Sequence, residues 1–456
     1  MANDAARSGQ SDESPKVTRE LAEWIANFTN RDVTPSARTW AVHTLLDWIG
    51  VTVAGAREPL AEILTAQYAE DEGACTVIAT GKRARPHDAA MLNGSAGHAL
   101  DYDDVNASMG GHPSAPVAPV VLALGEQLGA SGEDVLRAFV VGYEVECALG
   151  SMGGVEHYNN GFHSTGTMGT FGAAAAACSL LGLSADQTAN ALGVAATQAS
   201  GIKSMFGTMT KPLHAGKAAM NGLIAAQIAA KGFTAGQDAI ECAQGFMDVT
   251  APGFKARHFT AGGNVPMEVE NNLFKYHAAC YLTHSTIEAV SALRAKHDIE
   301  LDDLKELKLF MPPTHKLVCD IPAPQSGLEI KFSIRHLAVM ALDGANTAAL
   351  DTYSDENAAS PKYADGRAKI TVIEKQLSGK HAGAVSIETK DGRTMVSEVD
   401  VGKPATDVDE QWRKLEHKSR TIMTPVTGEA GANAIVEAVV GLPQARSLDE
   451  LMAALG

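Results

Sequence analysis

The stretch with the densest acid–base chemistry is GHALDYDDVNASMGGHPSAPV, at residues 97–117. Three of four successive positions are aspartate, a histidine lies on each side at His98 and His112, and a glycine pair precedes the second histidine. Carboxylates and imidazoles in this arrangement can bind a cation, or they can form an acid–base pair. The glycine pair allows the backbone to approach a ligand closely. The stretch is therefore a metal loop, a solvated acidic turn, or part of an acid–base site.

The first of these alternatives, a calcium loop, can be tested by position. An EF-hand loop that starts at Asp101 needs an acid or Asn at its fifth place, Gly at its sixth and Glu at its twelfth. The sequence has Val105, Asn106 and His112 there instead. The six cysteines are widely spaced and form no CxxC pair, which opposes a zinc knuckle and a disulfide framework. We therefore predict that the chain needs no metal, and a solvated acidic turn is the simpler alternative for the aspartates.

Four further stretches place histidine or lysine in turns that contain glycine or proline, where binding sites are commonly built. In GFHSTGTMGTFG, His163 and several hydroxyl residues precede an alanine-rich helix whose free N–H groups can receive a carboxylate. In TKPLHAGKAAMNG, Lys211 precedes Pro212, and His214 lies at the entry of a helix. Each histidine alone is more often structural and each lysine more often on the surface, but together these turns indicate a site. The remaining stretches are FKYHAACYLTHSTIEA, at 274–289, and KFSIRH, at 331–336.

The composition opposes several classes of function. A formal net charge of −17 and a pI near 5.3 oppose binding to nucleic acid or to an anionic membrane. No apolar run approaches the roughly 18 residues of a membrane span. The polar, acidic N-terminus lacks an apolar signal core, so we expect a disordered tail and a cytoplasmic protein. If the substrate is anionic, a few cationic side chains must converge locally, which makes the position of each lysine informative.

Local signals predict several of the elements that must position these residues. Thr34-Pro35 is typical of a helix start, and the apolar run that follows ends at Gly55, which predicts a buried helix. Ser131 and Ser184 are each followed by an acidic residue and are predicted N-caps. Two alternating segments about Asp391-Gly392 predict a β-hairpin.

The length of 456 residues predicts two domains, because single cores stop growing at about 250–300 residues. Residues 116–232 are almost continuously helical in pattern and rich in alanine and glycine, which favours closely packed helices. Strand-like runs appear after about Pro266, and helical patterns return after Asp407. We therefore predict a mainly α-helical chain in which a mixed α+β unit follows a helical one.

Five segments of the chain, in order, resemble the MmgE/PrpD family, which includes 2-methylcitrate dehydratase, cis-aconitate decarboxylase and iminodisuccinate epimerase. The resemblance runs from about residue 18 to the C-terminus. The segments are GHALDYDDVN with GGHPSAPV, GFHSTGTMGTFGAAAAA, TKPLHAGKAA, KYHAACYLTHSTIEA and PAPQSGLEIKFSIRH.

The resemblance implies a large all-helical domain formed by both chain ends and a smaller inserted α+β lid domain. The expected boundaries are a disordered tail at 1–17, a helical domain at 18–267, a lid at 268–403, and C-terminal helices at 404–456 that return to the helical domain. It also implies a homodimer with its site in the cleft between the domains. Members of the family act on small di- or tricarboxylates without a metal or an organic cofactor.

The resemblance also implies which residues form the site. Asp101, His112, His163 and Lys211 stand at catalytic positions, and Lys275 stands at a substrate-binding position. Further substrate-binding candidates are Cys280, His336 and Tyr143.

Three positions depart from the decarboxylase branch of the family. Val105 stands where that branch has threonine, Cys280 where it has histidine, and His336 where it has tyrosine. Because these positions belong to the site, they oppose the decarboxylase assignment more than they oppose the fold.

The reactions of the family share one difficult step, which is to create or quench carbanion character beside a carboxylate. Lys211, Lys275 and His112 suit the binding of substrate carboxylates. His163 is the expected proton carrier, because a pKa near neutrality allows imidazole both to accept and to donate a proton. Asp101 is expected to orient or charge one of the histidines.

We therefore expect a hydro-lyase that dehydrates a hydroxy-polycarboxylate, similar to 2-methylcitrate dehydratase. The first alternative is an epimerase of an imino- or amino-dicarboxylate, which needs a second group on the opposite face of the substrate, and Tyr143 is a candidate for it. Decarboxylation of the cis-aconitate type ranks third. From another class, the chain could be a non-catalytic protein that binds polycarboxylates.

Overall fold

The computed structural model describes residues 15–261 and 265–456. The predicted disordered tail at 1–17 lies outside the described residues except for its last three positions, and Val17 already begins the first helix. The chain is mainly α-helical, as predicted. It divides into two compact units. The first unit comprises the residues up to Asn272 together with Val426–Gly456, and the second unit comprises Leu273–Pro425.

The first unit consists of helices and one short two-stranded antiparallel sheet, β1–β2. Its strands are β1 (Cys75–Val77) and β2 (Lys82–Ala84). Its helices before Asn272 are α1 (Val17–Asn27), α2 (Pro35–Gly55), α3 (Pro59–Tyr68), α4 (Pro86–Ala99), α5 (Ser114–Leu128), α6 (Gly132–Asn159), α7 (Ser164–Leu181), α8 (Ala185–Gln198), α9 (Thr210–Ala230) and α10 (Phe246–Thr250).

Helix α7 forms the centre of the first unit. It packs against α6, α9, α5 and α8, and its alanine run, residues 173–177, is fully buried. Small side chains allow these helices to approach closely, so the alanine-rich pattern of 116–232 does produce tightly packed helices. The packing also fixes the N-terminus of α7, where His163 is the N-cap residue.

The predicted helix starts are confirmed. Thr34 caps α2 by accepting a hydrogen bond from the backbone N–H of Ala37, and α2 ends at Gly55 with nearly every residue buried. Ser131 and Ser184 cap α6 and α8 in the same way.

The second unit contains a four-stranded mixed sheet with helices around it. The strand order is β4-β3-β5-β6, in which β3 and β4 are parallel and the other neighbours are antiparallel. The predicted hairpin about Asp391-Gly392 is confirmed as β5–β6, with Glu388 opposite Thr394. The strands are β3 (Leu304–Met311), β4 (Ile370–Glu374), β5 (Ala382–Thr389) and β6 (Thr394–Asp400).

Helix α11 of the second unit packs against β5, β6 and α14. The helices that lie wholly in this unit are α11 (Tyr281–His297), α12 (Pro313–Cys319), α13 (Gly327–Ile330), α14 (Ile334–Asp343), α15 (Asp355–Ala359) and α16 (Pro361–Arg367).

Two helices close the chain, α17 (Val408–Gly441) and α18 (Asp449–Leu455). The chain leaves the second unit at Pro425 within α17, three positions before Gly428, where the backbone is not helical (φ 71°, ψ 169°). Within the described ranges, no helix is both long and apolar enough to cross a lipid bilayer.

Candidate active site

The acidic stretch between α4 and α5 forms a buried charge cluster around Asp103. His98 lies in the last turn of α4, and its Nδ1 is 2.8 Å from Asp103 Oδ2. His112 Nδ1 lies 3.4 Å from Asp103 Oδ1, and the His98 and His112 rings meet edge to face with centroids 4.7 Å apart. Asp103 and Asp104 are both fully buried. A solvated acidic turn therefore describes only Asp101 of the three aspartates.

Asp101 lies on the outer side of this cluster and pairs with Lys211. Lys211 Nζ is 2.7 Å from Asp101 Oδ1, and His112 Nε2 is 3.7 Å from the same oxygen. The Lys211 side chain is 17% exposed, whereas that of Asp101 is 55% exposed. The structure therefore brings three of the predicted residues together, and it places Lys211 in a partly buried cluster.

His163 joins the cluster from the start of α7. Its ring stacks on that of His98, with centroids 5.7 Å apart, and its Nδ1 lies 3.1 Å from His214 Nδ1. Phe206 packs edge to face against His163, at 4.9 Å, and Lys211 Nζ lies 5.5 Å from the centre of the Phe206 ring. His163 itself is almost fully buried.

The electrostatics of the cluster favour neutral imidazoles beside one ionised carboxylate. Burial lowers the pKa of His98 to about 4. Burial, with His98 and Lys211 nearby, lowers the pKa of His163 well below its usual value. Burial opposes ionisation of Asp103, but the neighbouring His98 and His112 outweigh it and hold the pKa of Asp103 well below its usual range. The near-neutral pKa expected for His163 is therefore wrong, because the ring is desolvated.

A second group of buried acids lies beside the cluster and comprises Asp104, between α4 and α5, and Glu146 on α6. Ser114 donates a short hydrogen bond to Asp104, and burial raises the pKa of Asp104 to about 8. Burial raises the pKa of Glu146 well above its usual value, and both of its carboxyl oxygens lack a hydrogen-bond partner among the described residues. Burial therefore favours the protonated form of both carboxyl groups.

Tyr143, the candidate for a second face of the substrate, belongs to this inner group. It is fully buried on α6, and burial, with Asp104 nearby, raises the pKa of its hydroxyl well above the usual value. A phenol in this environment stays protonated, so it is a poor general base.

The other predicted site residues lie in the second unit. Lys275 is almost fully buried. Cys280 is the N-cap residue of α11, and its Sγ lies 3.4 Å from Cys319 Sγ. His336 is fully buried on α14, where its Nδ1 accepts a hydrogen bond from Arg367 Nη1 at 2.6 Å. His336 Nδ1 is therefore occupied by a protein donor.

His98, Asp103 and His112 also offer a set of donor atoms that could hold a metal ion, since these atoms lie within 4.8 Å of one another. Two imidazoles and a carboxylate are a donor set that several divalent transition metals accept. The hydrogen bond between His98 and Asp103, together with the approach of His112 Nδ1 to Asp103 at 3.4 Å, gives these three side chains a role without an ion. That the chain needs no metal stays a prediction.

The sequence alone did not assign the two residues that organise the cluster. Asp103 is hydrogen-bonded to His98 and points inward between His98 and His112. The sequence predicts that His214 lies at a helix entry and indicates no role for it. The histidines on both sides of the aspartates were a usable signal, but nothing local distinguishes which aspartate faces inward.

Comparisons with known proteins agree with the architecture. Residues 19–258 match the MmgE/PrpD N-terminal domain, and residues 277–442 match the MmgE/PrpD C-terminal domain. The chain is 28% identical to the cis-aconitate decarboxylase of Aspergillus terreus, over 98% of this chain and 97% of that protein. It is 33% identical to the human cis-aconitate decarboxylase, over 58% of this chain and 57% of that protein. A cis-aconitate decarboxylase-like protein of Aspergillus oryzae is 32% identical over 62% of each chain. The chain belongs to the MmgE/PrpD family.

Proposed function

We propose that this protein is a lyase that acts on a small polycarboxylate by proton transfer at the carbon beside a carboxylate. The observation that carries the proposal is the convergence of a partly buried lysine, Lys211, with the buried imidazole of His163 and the pair His98–Asp103. Family membership and the cis-aconitate decarboxylase relatives support a lyase of this type.

Lys211 is the residue that we assign to a substrate carboxylate. An ammonium group has three N–H donors, and the bond to Asp101 uses one of them, so Lys211 can hold Asp101 and a substrate oxygen together. Partial burial strengthens this attraction, because the effective dielectric constant is lower than in water. His112, 3.7 Å from Asp101, is placed to assist on the same side.

His163 is the residue that we assign to the proton. A neutral imidazole is a base, and the desolvation that keeps His163 neutral also favours return of the proton later in the cycle. Phe206 covers one edge of the ring and limits exchange with water. A positioned acid or base of this kind contributes about 10²–10⁴-fold to the rate.

Within this class we propose dehydration of a hydroxy-polycarboxylate. Loss of water needs a base for the proton beside the carboxylate and an acid for the departing hydroxyl group. His163 can serve as the base, and the group formed by Lys211, Asp101 and His112 can assist the departure of the hydroxyl group, which supports this division of roles. Val105, Cys280 and His336 replace residues of the decarboxylase branch, which is a further reason for this choice.

Decarboxylation of the cis-aconitate type is the second candidate, and the names of the relatives favour it. Here His163 would protonate the carbanion left after carbon dioxide departs. Epimerisation, which the sequence made the first alternative, becomes the third candidate, because the buried Tyr143 offers it little support.

The test is a panel of hydroxy-, unsaturated and amino-polycarboxylates incubated with the protein in deuterated water and analysed by mass spectrometry. Loss of water supports the proposal, loss of carbon dioxide supports the second candidate, and isotope uptake without other mass change indicates an epimerase. A ligand that raises the melting temperature without any isotope uptake indicates a binding protein. We also propose a homodimer, which light scattering coupled to gel filtration would test.

A further inference from the structure

We propose that His214 is a positioning residue that sets the tautomer of His163 and thereby makes its Nε2 the atom that accepts the substrate proton. This inference deepens the proposed function and rests on it, because it assumes that His163 carries the proton.

The contact between the two rings is the basis of the inference. His163 Nδ1 and His214 Nδ1 lie 3.1 Å apart, which is hydrogen-bond distance. A neutral imidazole has a proton on one nitrogen only, so an N–H···N bond between two neutral rings requires opposite tautomers. When His163 donates from Nδ1, its Nε2 has a lone pair, and His214 holds its own proton at Nε2. Since Nδ1 of His163 faces His214, Nε2 is the nitrogen left for substrate.

The position of the His214 ring is fixed by two glycines. Gly201 has φ 139°, and a Cβ at this position would lie 3.2 Å from His214 Cγ and 3.3 Å from His214 Nδ1. A Cβ at Gly166 would lie 3.1 Å from His214 Cβ. All three distances are tighter than ordinary van der Waals contact, so larger residues there would push the ring away from His163. The backbone N–H of His163 also donates to the carbonyl of Gly201, at 3.0 Å. The glycine that lies against the His214 ring is therefore also bonded to His163.

The charges around the pair disfavour a permanent proton on either ring. His98 and His112 lie beside His163, and Lys211 influences both rings of the pair. Burial comes first among the causes and lowers the pKa of both His163 and His214. The resting pair is therefore neutral, as the opposite-tautomer arrangement requires.

The same contact stabilises His163 after it has accepted the proton from the substrate. His163 Nε2 forms a bond to the proton, and the electron pair of the broken C–H bond stays on the substrate. The positive charge on His163 is stabilised because its Nδ1–H still donates to the lone pair on His214 Nδ1. When the leaving group or the carbanion takes a proton from the site, His163 returns to its first tautomer.

The direct test measures the tautomers without turnover. Protein labelled with ¹⁵N in histidine is prepared as wild type, His214→Phe and His214→Asn, and His163→Asn identifies the His163 signals. In the wild type we expect His163 to be protonated at Nδ1 and bare at Nε2. In His214→Phe the ring loses its acceptor, so we expect the Nε2–H tautomer, while His214→Asn keeps an acceptor oxygen and retains part of the wild-type pattern.

Kinetics on the substrate found by the panel provide the second readout. We expect kcat to fall about 10- to 100-fold in His214→Phe, with KM changed less than threefold. On a logarithmic scale, His214→Asn should recover about half of this fall in kcat. The matched control is His157→Asn. His157 is another buried histidine of the first unit, with its Nε2 2.8 Å from Thr167 Oγ1. This variant should lower the melting temperature but leave the His163 tautomer unchanged.

An unchanged His163 tautomer in a folded His214→Phe or His214→Asn protein overturns the inference. So does an unchanged kcat in a variant whose tautomer has shifted. If the wild type transforms no member of the panel, the proposed function fails by that result alone, and the ¹⁵N spectra still decide whether His214 sets the tautomer.

Discussion

Lys211 Nζ lies 2.7 Å from Asp101 Oδ1, although the two residues are 110 positions apart in the chain. The pair joins the start of α9 to the turn after α4. It leaves the Lys211 side chain only 17% exposed in a protein with a formal net charge of −17. Dissolved salt screens a partly buried charge less than an exposed one, so Lys211 attracts an anionic substrate more strongly than a surface lysine does.

Replacing Lys211 with methionine removes this charge and keeps most of the side-chain stem. We expect kcat/KM to fall about 30- to 1,000-fold, equivalent to about 2–4 kcal/mol, because a substrate carboxylate loses its partner. Thermal stability should change little, because Asp101 stays exposed enough to be solvated. Steady-state kinetics beside a thermal melt test this expectation. The control is Lys231→Met at an exposed position, which should retain full activity, and full activity in Lys211→Met would remove the lysine from the mechanism.

Replacing Asp103 with asparagine tests which aspartate organises the histidines. An amide lacks the charge of the carboxylate and presents an NH₂ group to one of the two rings, so His98 or His112 must turn away. We expect kcat to fall on the order of 100-fold in a folded protein. The matched variant is Asp104→Asn, one residue along, where the buried carboxyl group is already protonated. Equal losses in both variants would show that burial, and not orientation of the histidines, explains the effect.

The buried carboxyl groups predict that stability falls as the pH rises from about 4 to about 8. The pKa of Asp104 is about 8 in the folded protein and near 3.8 in the unfolded chain, so between these values only the folded state holds the proton. The contribution of Asp104 to the free energy of unfolding is therefore fully present below about pH 4. It decreases as the pH rises to about 8, by on the order of 1 kcal/mol per pH unit for one such group. Asp104→Asn and Glu146→Gln should each make this slope shallower in urea titrations between pH 5 and 9. A slope that neither variant changes would place the titrating groups elsewhere.

Chelation tests the prediction that no metal is needed. Dialysis against EDTA should leave turnover intact, because the hydrogen bond to Asp103 already orients His98. Reversible loss of activity, restored by one divalent ion, would contradict this prediction. The donor atoms of His98, Asp103 and His112 would then be the first candidates for the site of that ion.

Removing the residues after Pro425 tests the role of the chain end within the first unit. Leu442, Leu448 and Leu451 are buried, and the backbone N–H of Gly132 donates to the carbonyl of Ala445 at 2.9 Å. We expect the shortened protein to lose cooperative unfolding and to aggregate, because the loss of these contacts leaves apolar surface exposed. Gel filtration and a thermal melt provide the measurement. A soluble, cooperatively folded product would show that the last helices are accessory.

Much of the fold could be predicted because its signals are local. Thr34-Pro35 starts α2, Ser131 caps α6, and Asp391-Gly392 turns the β5–β6 hairpin, each through side chains or dihedral angles within a few residues. The change of pattern after Pro266 lies six residues before the end of the first unit's long segment at Asn272. These features depend on hydrogen bonds between near neighbours, so the order of residues is enough to reveal them.

The sequence by itself determined which residue types come near the site, through the histidines on both sides of the aspartates and the lysine before Pro212. Only the tertiary structure decided their roles. Asp103 faces inward while Asp101 faces Lys211, and His214 meets His163 across a gap of 51 positions. These assignments depend on the burial of each side chain and on how α4, α7 and α9 pack together. Burial also decides which carboxyl groups ionise, because desolvation keeps Asp104 protonated while the neighbouring histidines keep Asp103 charged.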